Sequence, residues 1–329
     1  VNPLEKLILV MMKRDMRKLF TMEESLTEDP RAIHAVEDSP ERAWPDLQWF
    51  TSGTQIPSKL STQLGVMKNF LKAGASAKTS LKDVAKNPRP RLEAVDQVEL
   101  VQIAGYAKSI GVDLIGFTAL PQNLIFKNRA VFYYSAIVLC VELGKEAVAA
   151  APSFTTYKES IVSYDRLGAA TNKVADKLKS YGYQAQASHP LGGLVLYPPL
   201  AAKAGLGVLG LHGLLITPEF GPRQRISVVF TDAKNLPFVD VGYNENPSCS
   251  SCRRCAAACP AEAFRETPIY HPSGRKTSIV SEKCTAYFAA ENACSICMRE
   301  CALVNPGWNI GFERPDAPYV PLSESRPSG

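Results

Sequence analysis

Apolar and polar positions change rhythm along the chain, and the changes divide it. In "DQVELVQIAGYAKSIG" (96–111) apolar residues recur at helical spacing, and Gly111 stands where a helix would be capped. The runs "VDLIGFTAL" (112–120) and "RAVFYYSAIVLCVEL" (129–143) are nearly continuous in apolar residues, as strands are when buried; the second predicts one long strand. "SIVSYDRLGAATNKVADKLKSYG" (160–182) predicts an amphipathic helix of about five turns, stopped by Gly182. "PPLAAKAG" (198–205) predicts a short helix entered through prolines. "HGLLIT" (212–217) and "RISVVFTD" (225–232) predict two further strands. Residues 96–240 therefore read as an α/β domain.

The flanks differ. Residues 1–95 mix short apolar runs with breaks at Pro30, Pro40, Pro45 and Pro57, and read as an N-terminal extension. Within them Lys68, Lys72, Lys78, Lys82 and Lys86 recur every four to six residues, the spacing of a solvated helix face. The alternative is a docking surface for an acidic electron donor. Residues 241–329 hold small, loop-forming residues, and the tail after Trp308 carries Pro315, Pro318, Pro321 and Pro327, as a surface-wrapping segment would.

Composition narrows the class. The 329 residues are 46% hydrophobic and 21% charged, enough to bury a core. A net charge of +5 is too mild to argue for nucleic acid, so none is expected. The apolar run "LILVMM" (7–12) is far shorter than the roughly 18 residues needed to span a bilayer. No secretory cleavage site or twin-arginine pair stands in the first thirty residues, so a cytoplasmic location is expected and a membrane partner is not indicated.

The cysteines carry the chemistry. Eight of nine fall between 249 and 301, and in a chain of this size that density reads as metal ligation. "CSSCRRCAAACP" places Cys249, Cys252, Cys255 and Cys259 in the C-x2-C-x2-C-x3-C-P run of bacterial ferredoxins, whose fourth cysteine ligates the other cluster. Cys284, Cys294, Cys297 and Cys301 follow. Cys249, Cys252, Cys255 and Cys301 can hold one [4Fe-4S] cluster, and Cys259, Cys284, Cys294 and Cys297 the other. The second half departs from the motif: Cys284 stands ten residues ahead of Cys294, and Ala302 replaces the usual proline. A zinc ribbon is the rival reading. Cys140, alone in an apolar strand, reads as a core residue.

Gly205, Gly207 and Gly210 spell G-x-G-x-x-G, a dinucleotide fingerprint, but in reverse context. A Rossmann fingerprint follows a strand and opens a helix. Here a helical segment precedes the glycines and a strand follows them. The expectation is a turn that lets backbone pass close to a bulky ligand, or simply a tight turn.

"PPLAAKAGLGVLGLHGLLITPEFGPRQRISVVFTD" (198–232), followed by the doubled ferredoxin motif, resembles the cobalamin-dependent reductive dehalogenases and their relatives, the epoxyqueuosine reductases. The likeness spans about 96–310. It implies an α+β architecture: a nitroreductase-like α/β domain binding a base-off corrinoid, joined to a ferredoxin-like domain with two [4Fe-4S] clusters. It implies that the glycine turn and its continuation, through Gly205, Gly207, Gly210, His212, Gly213, Leu214, Thr217 and Glu219, contact the corrinoid. His212 then touches the corrin edge or is a satisfied strand-end histidine; it is not expected to ligate cobalt.

The two branches differ in their proton donors. Epoxyqueuosine reductases resemble D-S-x-P-x-x-E-R-x-x-A, with the aspartate as donor; here Leu191 falls at the acid and Tyr197 at the glutamate. Dehalogenases resemble a tyrosine on the preceding helix supported by an arginine after the glycine turn. Tyr164 and Arg223 fit those positions, with Tyr157 and Arg225 as second choices. The resemblance thus implies a reductive dehalogenase. Electrons from a ferredoxin or flavodoxin-type donor pass through two clusters to cob(I)alamin, which cleaves the carbon–halogen bond of a small organohalide. The alternatives are another C–X reductase, epoxyqueuosine reductase-like, or a non-catalytic electron carrier or corrinoid activator. Apolar and aromatic residues in 44–60 and 154–197 are expected to shape the substrate pocket.

Overall fold

The structure, a computed structural model, describes residues 3–42 and 59–304 apart from Leu92 and Asp240. Most of the 44–60 part of the expected substrate pocket, and the proline-rich tail, lie outside these residues.

Helix α1 (Pro3–Ser25) leads to a short strand β1 (Ile33–His34), and α2 spans Leu60–Lys82. Lys68, Lys72 and Lys82 are exposed on α2, as is Lys86 beyond it, as a solvated face requires. Lys78 instead pairs with Asp15 of α1 at 3.0 Å.

Helix α3 (Gln97–Ser109) begins at a capping box, in which the Glu99 amide donates to Asp96 at 2.8 Å and the Glu99 carboxylate accepts from the Asp96 amide. Its chain turns away through Gly111, whose φ is +89°. Strands β2 (Leu114–Ala119), β3 (Ala130–Val131) and β4 (Ser135–Glu142) follow. The expected long strand over 129–143 is therefore two. Ala130–Val131 pairs with β1, and the Phe132 amide donates to the Gln186 side chain instead of to a neighbouring strand. Tyr134 is exposed between the two pieces.

After α4 (Lys145–Ala149), α5 runs from Phe154 to Ser180, about seven turns, longer than expected because Ser153 caps it early by accepting from the Thr156 amide. Next come β5 (Ala185–Ser188), α6 (Tyr197–Lys203), β6 (Val208–Leu209), β7 (Leu215–Ile216) and β8 (Gln224–Thr231). The central sheet has the order β2-β4-β8-β5 and is antiparallel throughout.

Both faces of this sheet are covered, which is why β4 lacks polar alternation. Ala136, Val138 and Cys140 face a core built with Leu200 of α6 and Leu206. Ile137, Leu139 and Val141 face a second core with Ile103 of α3 and with Leu167, Val174 and Leu178 of α5. Each fully buried aliphatic side chain contributes about 1.5–3 kcal/mol. A third core joins Met16 and Leu19 of α1 and Val66, Phe70, Ala73 and Ala77 of α2 to Ile161 of α5. The described part of the first 95 residues thus shares a hydrophobic core with the segment that follows.

The cysteine-rich segment holds short helices α7 (Cys249–Cys252) and α8 (Arg254–Ala257), a hairpin of β9 (Phe264–Tyr270) and β10 (Lys276–Ile279), then α9 (Ser281–Ala290) and α10 (Ile296–Arg299). Among the described residues no helix is long and apolar enough to cross a membrane.

Candidate active site

Alternation along β8 directs Arg225, Ser227 and Val229 to the face covered by α5. Ser227 meets Thr171 of α5, hydroxyl to hydroxyl, at 2.6 Å, and Val229 enters the shared core. Arg225 meets the helix two turns earlier, where Ser160, Ser163 and Tyr164 stand at i, i+3 and i+4. Its guanidinium donates to Ser160 Oγ at 3.0 Å, to Ser163 Oγ at 3.2 Å and to Tyr164 Oη at 3.1 Å. Its Cζ also lies 4.0 Å from the centroid of the Tyr164 ring. The tyrosine expected from sequence therefore has an arginine partner, and the partner is Arg225.

Arg223 is engaged elsewhere, which corrects its expected pairing with Tyr164. It is 2% exposed. Its Nη1 donates to Glu142 Oε1 at 2.6 Å and to the Leu143 carbonyl at 3.0 Å, and its Nε donates to the Val304 carbonyl at 3.1 Å. Tyr157 packs with Phe154 against the α1–α2 core, and burial pushes its phenol upward.

Leu191, at the acid position of the epoxyqueuosine branch, is buried in the same core. Tyr197 Oη lies 2.7 Å from Ser188 Oγ and donates to the Ser188 and His189 carbonyls at 3.0 Å, so its hydroxyl braces this loop. Beside the loop lies a group that sequence reading missed. Glu23 of α1 accepts from Arg42 at 2.5 Å and from Arg129 at 3.2 Å, with all three side chains under a tenth exposed. Burial pushes the Glu23 carboxyl upward against the pull of both arginines. More than 100 residues separate Glu23 from Arg129, so no local motif announces the group.

The glycine turn becomes the β6–β7 hairpin. A Cβ at Gly207 would overlap the Ile216 carbonyl, and one at Gly210 would overlap the His212 ring. Gly205 turns the chain out of α6, with its amide donating to the Ala202 carbonyl at 2.9 Å. Each of the three thus has a local structural reason to be glycine. Thr217 is buried and its Oγ1 accepts from the Phe220 amide at 3.1 Å, in a turn that also contains Glu219.

A cavity of about 600 Å³ opens between this hairpin, residues 37–42, β10 and the start of α9; its walls include Phe126, Leu209, His212, Arg275 and Cys284. Gly210 and Gly213 also line it, whereas Gly205, Gly207, Leu214, Thr217 and Glu219 do not. His212 Nδ1 accepts from the Leu214 amide at 3.2 Å. Burial lowers the His212 pKa to about 4, so the neutral ring carries its proton on Nε2. That nitrogen and Arg275 Nε are buried without a partner among the described residues. Unpaired donors on two residues that line the cavity suit a ligand rich in hydrogen-bond acceptors.

The cysteines of this segment act on one another's thiols. Burial, and then the charges of Cys301, Cys249 and Cys252, push the Cys255 thiol to about 11. Burial, and then Cys294 and Cys259, push Cys284 to about 11. Cys297 is raised by burial, and then by the charges of Cys284, Cys294, Cys255 and Cys259. Burial raises the Cys249 thiol, and the backbone of Leu211, in the hairpin, acts to lower it. Around the second set, Asn292, Ala293, Cys294 and Ser295 all have positive φ, from 27° to 66°. Such a run costs about 1–2 kcal/mol per residue, and this module has little apolar core to offset it. Bound clusters would supply that restraint, so the residues fit the group. Among the described residues no three His, Cys, Asp or Glu side chains converge to hold a single metal ion. Cys140 is fully buried in β4, as expected of a core residue.

No protein-family model matches the chain. Known proteins do. A tetrachloroethene reductive dehalogenase of Desulfitobacterium hafniense is 32% identical over 188 residues, covering 53% of this chain and 33% of that protein. An epoxyqueuosine reductase of Synechocystis sp. is 29% identical over 113 residues, 34% of this chain and 35% of that one. A solved reductive dehalogenase, described as suggesting a mechanism for B12-dependent dehalogenation, matches with a TM-score of 0.61 at 20% identity, over 86% of this chain and 44% of that one. The chain thus has the mixed helix–sheet fold of the reductive dehalogenases. In sequence it is similar to tetrachloroethene reductive dehalogenases, with epoxyqueuosine reductases as further relatives. The match spans about a third of the length of that dehalogenase.

Proposed function

We propose that this chain reductively cleaves the carbon–halogen bond of a small organohalide, with a corrinoid fed by two [4Fe-4S] clusters. The observation that carries the reading is the Tyr164–Arg225 pair, set in a fold like that of the reductive dehalogenases. Cys249, Cys252, Cys255 and Cys301 would hold one cluster, and Cys259, Cys284, Cys294 and Cys297 the other. Gly210, Gly213 and the unpaired Nε2 of His212 would contact the corrinoid in the cavity. When bound, the corrinoid supplies the low-potential electrons that break the carbon–halogen bond.

The protein's own residues do the rest. The bond gains two electrons, halide leaves, and carbon takes a proton from Tyr164 Oη. A phenol with a pKa near 10 releases that proton reluctantly in water. Arg225 stabilises the phenolate left behind by Coulomb attraction and a direct hydrogen bond. Ser160 and Ser163 hold the guanidinium so that it need not reorganise. Solvent then returns a proton to Tyr164. In this reading residues 96–240 are the catalytic unit, 241–329 carry the clusters, and the described part of 1–95 walls both. The electron donor would be a ferredoxin or flavodoxin in the cytoplasm.

Another C–X reduction, of an epoxide, would need an acid where Leu191 stands, and the buried leucine supplies none. Anaerobic reconstitution with iron, sulfide and cobalamin tests the proposal. Bound iron and cobalt with halide release from organohalides is the expected result. Iron without cobalt would leave an electron carrier and overturn the enzyme reading.

A further inference from the structure

We infer that Arg223 and Arg299 are positioning residues, a reciprocal latch that fixes the cluster-bearing module against the catalytic sheet. The inference rests on the function proposed above.

Arg223 approaches from the sheet side. Two of its contacts, Glu142 Oε1 and the Leu143 carbonyl, lie at the end of β4. The Leu143 amide also donates to the Arg223 carbonyl at 3.0 Å, so this end is fixed twice. The remaining contact crosses over: Nε donates to the carbonyl of Val304, three residues after Cys301. Beside it, Gly221 has a φ of +57°, and a Cβ there would overlap the Leu303 carbonyl. The two backbones therefore touch with no room for a side chain. Val208 and Ile216 of the hairpin pack against Cys301, Leu303 and Val304, closing the seam.

Arg299 approaches from the other side. It lies on α10 between Cys297 and Cys301, and its Nη1 donates to the Ala151 carbonyl, in the turn between α4 and α5. One arginine from each module thus crosses to a backbone carbonyl of the other, and the two crossings bracket Cys301. Backbone acceptors suit this task because their positions do not vary with rotamer. A guanidinium suits it because its donors form a rigid fork, which a lysine lacks. Electron delivery depends on the separation of cluster and acceptor, and that separation is what the latch would hold.

The test uses the full chain loaded with iron, sulfide and cobalamin. In Arg223→Met and Arg299→Met, iron and cobalt contents stay at the wild-type level. Electron transfer from reduced clusters to the corrinoid, followed by stopped-flow absorbance, slows about ten- to a hundredfold. Amide exchange at 301–304 accelerates in both, and Arg223→Lys recovers part of each loss. Wild-type electron transfer in both Arg299→Met and Arg223→Lys overturns the latch, even if Arg223→Met fails to fold. So does unchanged electron transfer in Arg223→Met with impaired halide release, which would put Arg223 at the substrate. A wild-type chain that takes up iron but no cobalt sinks the proposed function instead. Exchange at 301–304 and the paramagnetic resonance of the clusters then still read the latch.

Discussion

Arg225 holds Tyr164 in two ways at once, donating to its hydroxyl at 3.1 Å and lying 4.0 Å from its ring centroid. In the proposed reaction the guanidinium would stabilise the charge that proton donation leaves on the oxygen. Tyr164→Phe should lower halide release about 10²–10⁴-fold, the usual worth of a positioned general acid. Arg225→Met should cost about 10²–10³-fold with the hydroxyl still present. Arg225→Lys should recover little, since one ammonium cannot span Ser160, Ser163 and Tyr164 together. Steady-state rates on one organohalide, with cluster and cobalt contents matched, check all three. Tyr164→Phe at full activity would remove it as the donor.

The difference between Arg223 and Arg225 marks where the sequence stopped being legible. Both precede or sit on β8 with the same parity, so spacing alone cannot say which meets α5. The alternation of Arg225, Ser227 and Val229, matched to Tyr164, Thr171 and Val174, carries the signal. The regular helices α3 and α5 and strand β4 were readable because periodicity encodes them. Strand β5 was not: "AQAS" is three small residues and a glutamine, all buried, with no large apolar or β-branched side chain. The Glu23–Arg42–Arg129 group was invisible because it is assembled from residues far apart in the chain.

His189 makes stability depend on pH. Its Nδ1 accepts from the Leu191 amide at 2.9 Å, and burial lowers its pKa to about 3. The unfolded chain protonates near 6.5 while the folded chain does not, so the unfolded state gains protons as pH falls. Stability should therefore drop between pH 6.5 and 3, by about 1.4 kcal/mol per pH unit from this residue. His189→Asn keeps an acceptor for the Leu191 amide and removes the titration. Urea unfolding at pH 7 and pH 5 should show a gap about 2 kcal/mol smaller in the variant. Equal gaps would mean that His189 is protonated in the folded state.

Two glycines are held by packing within the protein. A Cβ at Gly168 would overlap His189 Nε2, and one at Gly207 would overlap the Ile216 carbonyl. Gly168→Ala and Gly207→Ala should each destabilise the fold by about 1–3 kcal/mol, with Gly207→Ala the costlier because backbone cannot swing aside. Denaturant midpoints measure this. If Gly207→Ala leaves stability intact and weakens cobalamin binding, the glycine serves the ligand and not the hairpin.

The ferredoxin run predicts that its fourth cysteine belongs to the second cluster, and the electrostatic neighbours of Cys284 include Cys259. Cys259→Ala and Cys284→Ala should therefore perturb the same paramagnetic signal. Cys249→Ala and Cys301→Ala should perturb the other, since the largest charge effect on Cys301 comes from Cys249. Each substitution should lower iron content by up to about half, because the untouched set keeps its four thiolates. Disturbance of one and the same signal by Cys259→Ala and Cys249→Ala would break the proposed partition. The strained run from Asn292 to Ser295 adds a second readout. Losing the Cys284-side cluster should speed amide exchange there, while losing the Cys249-side cluster should not.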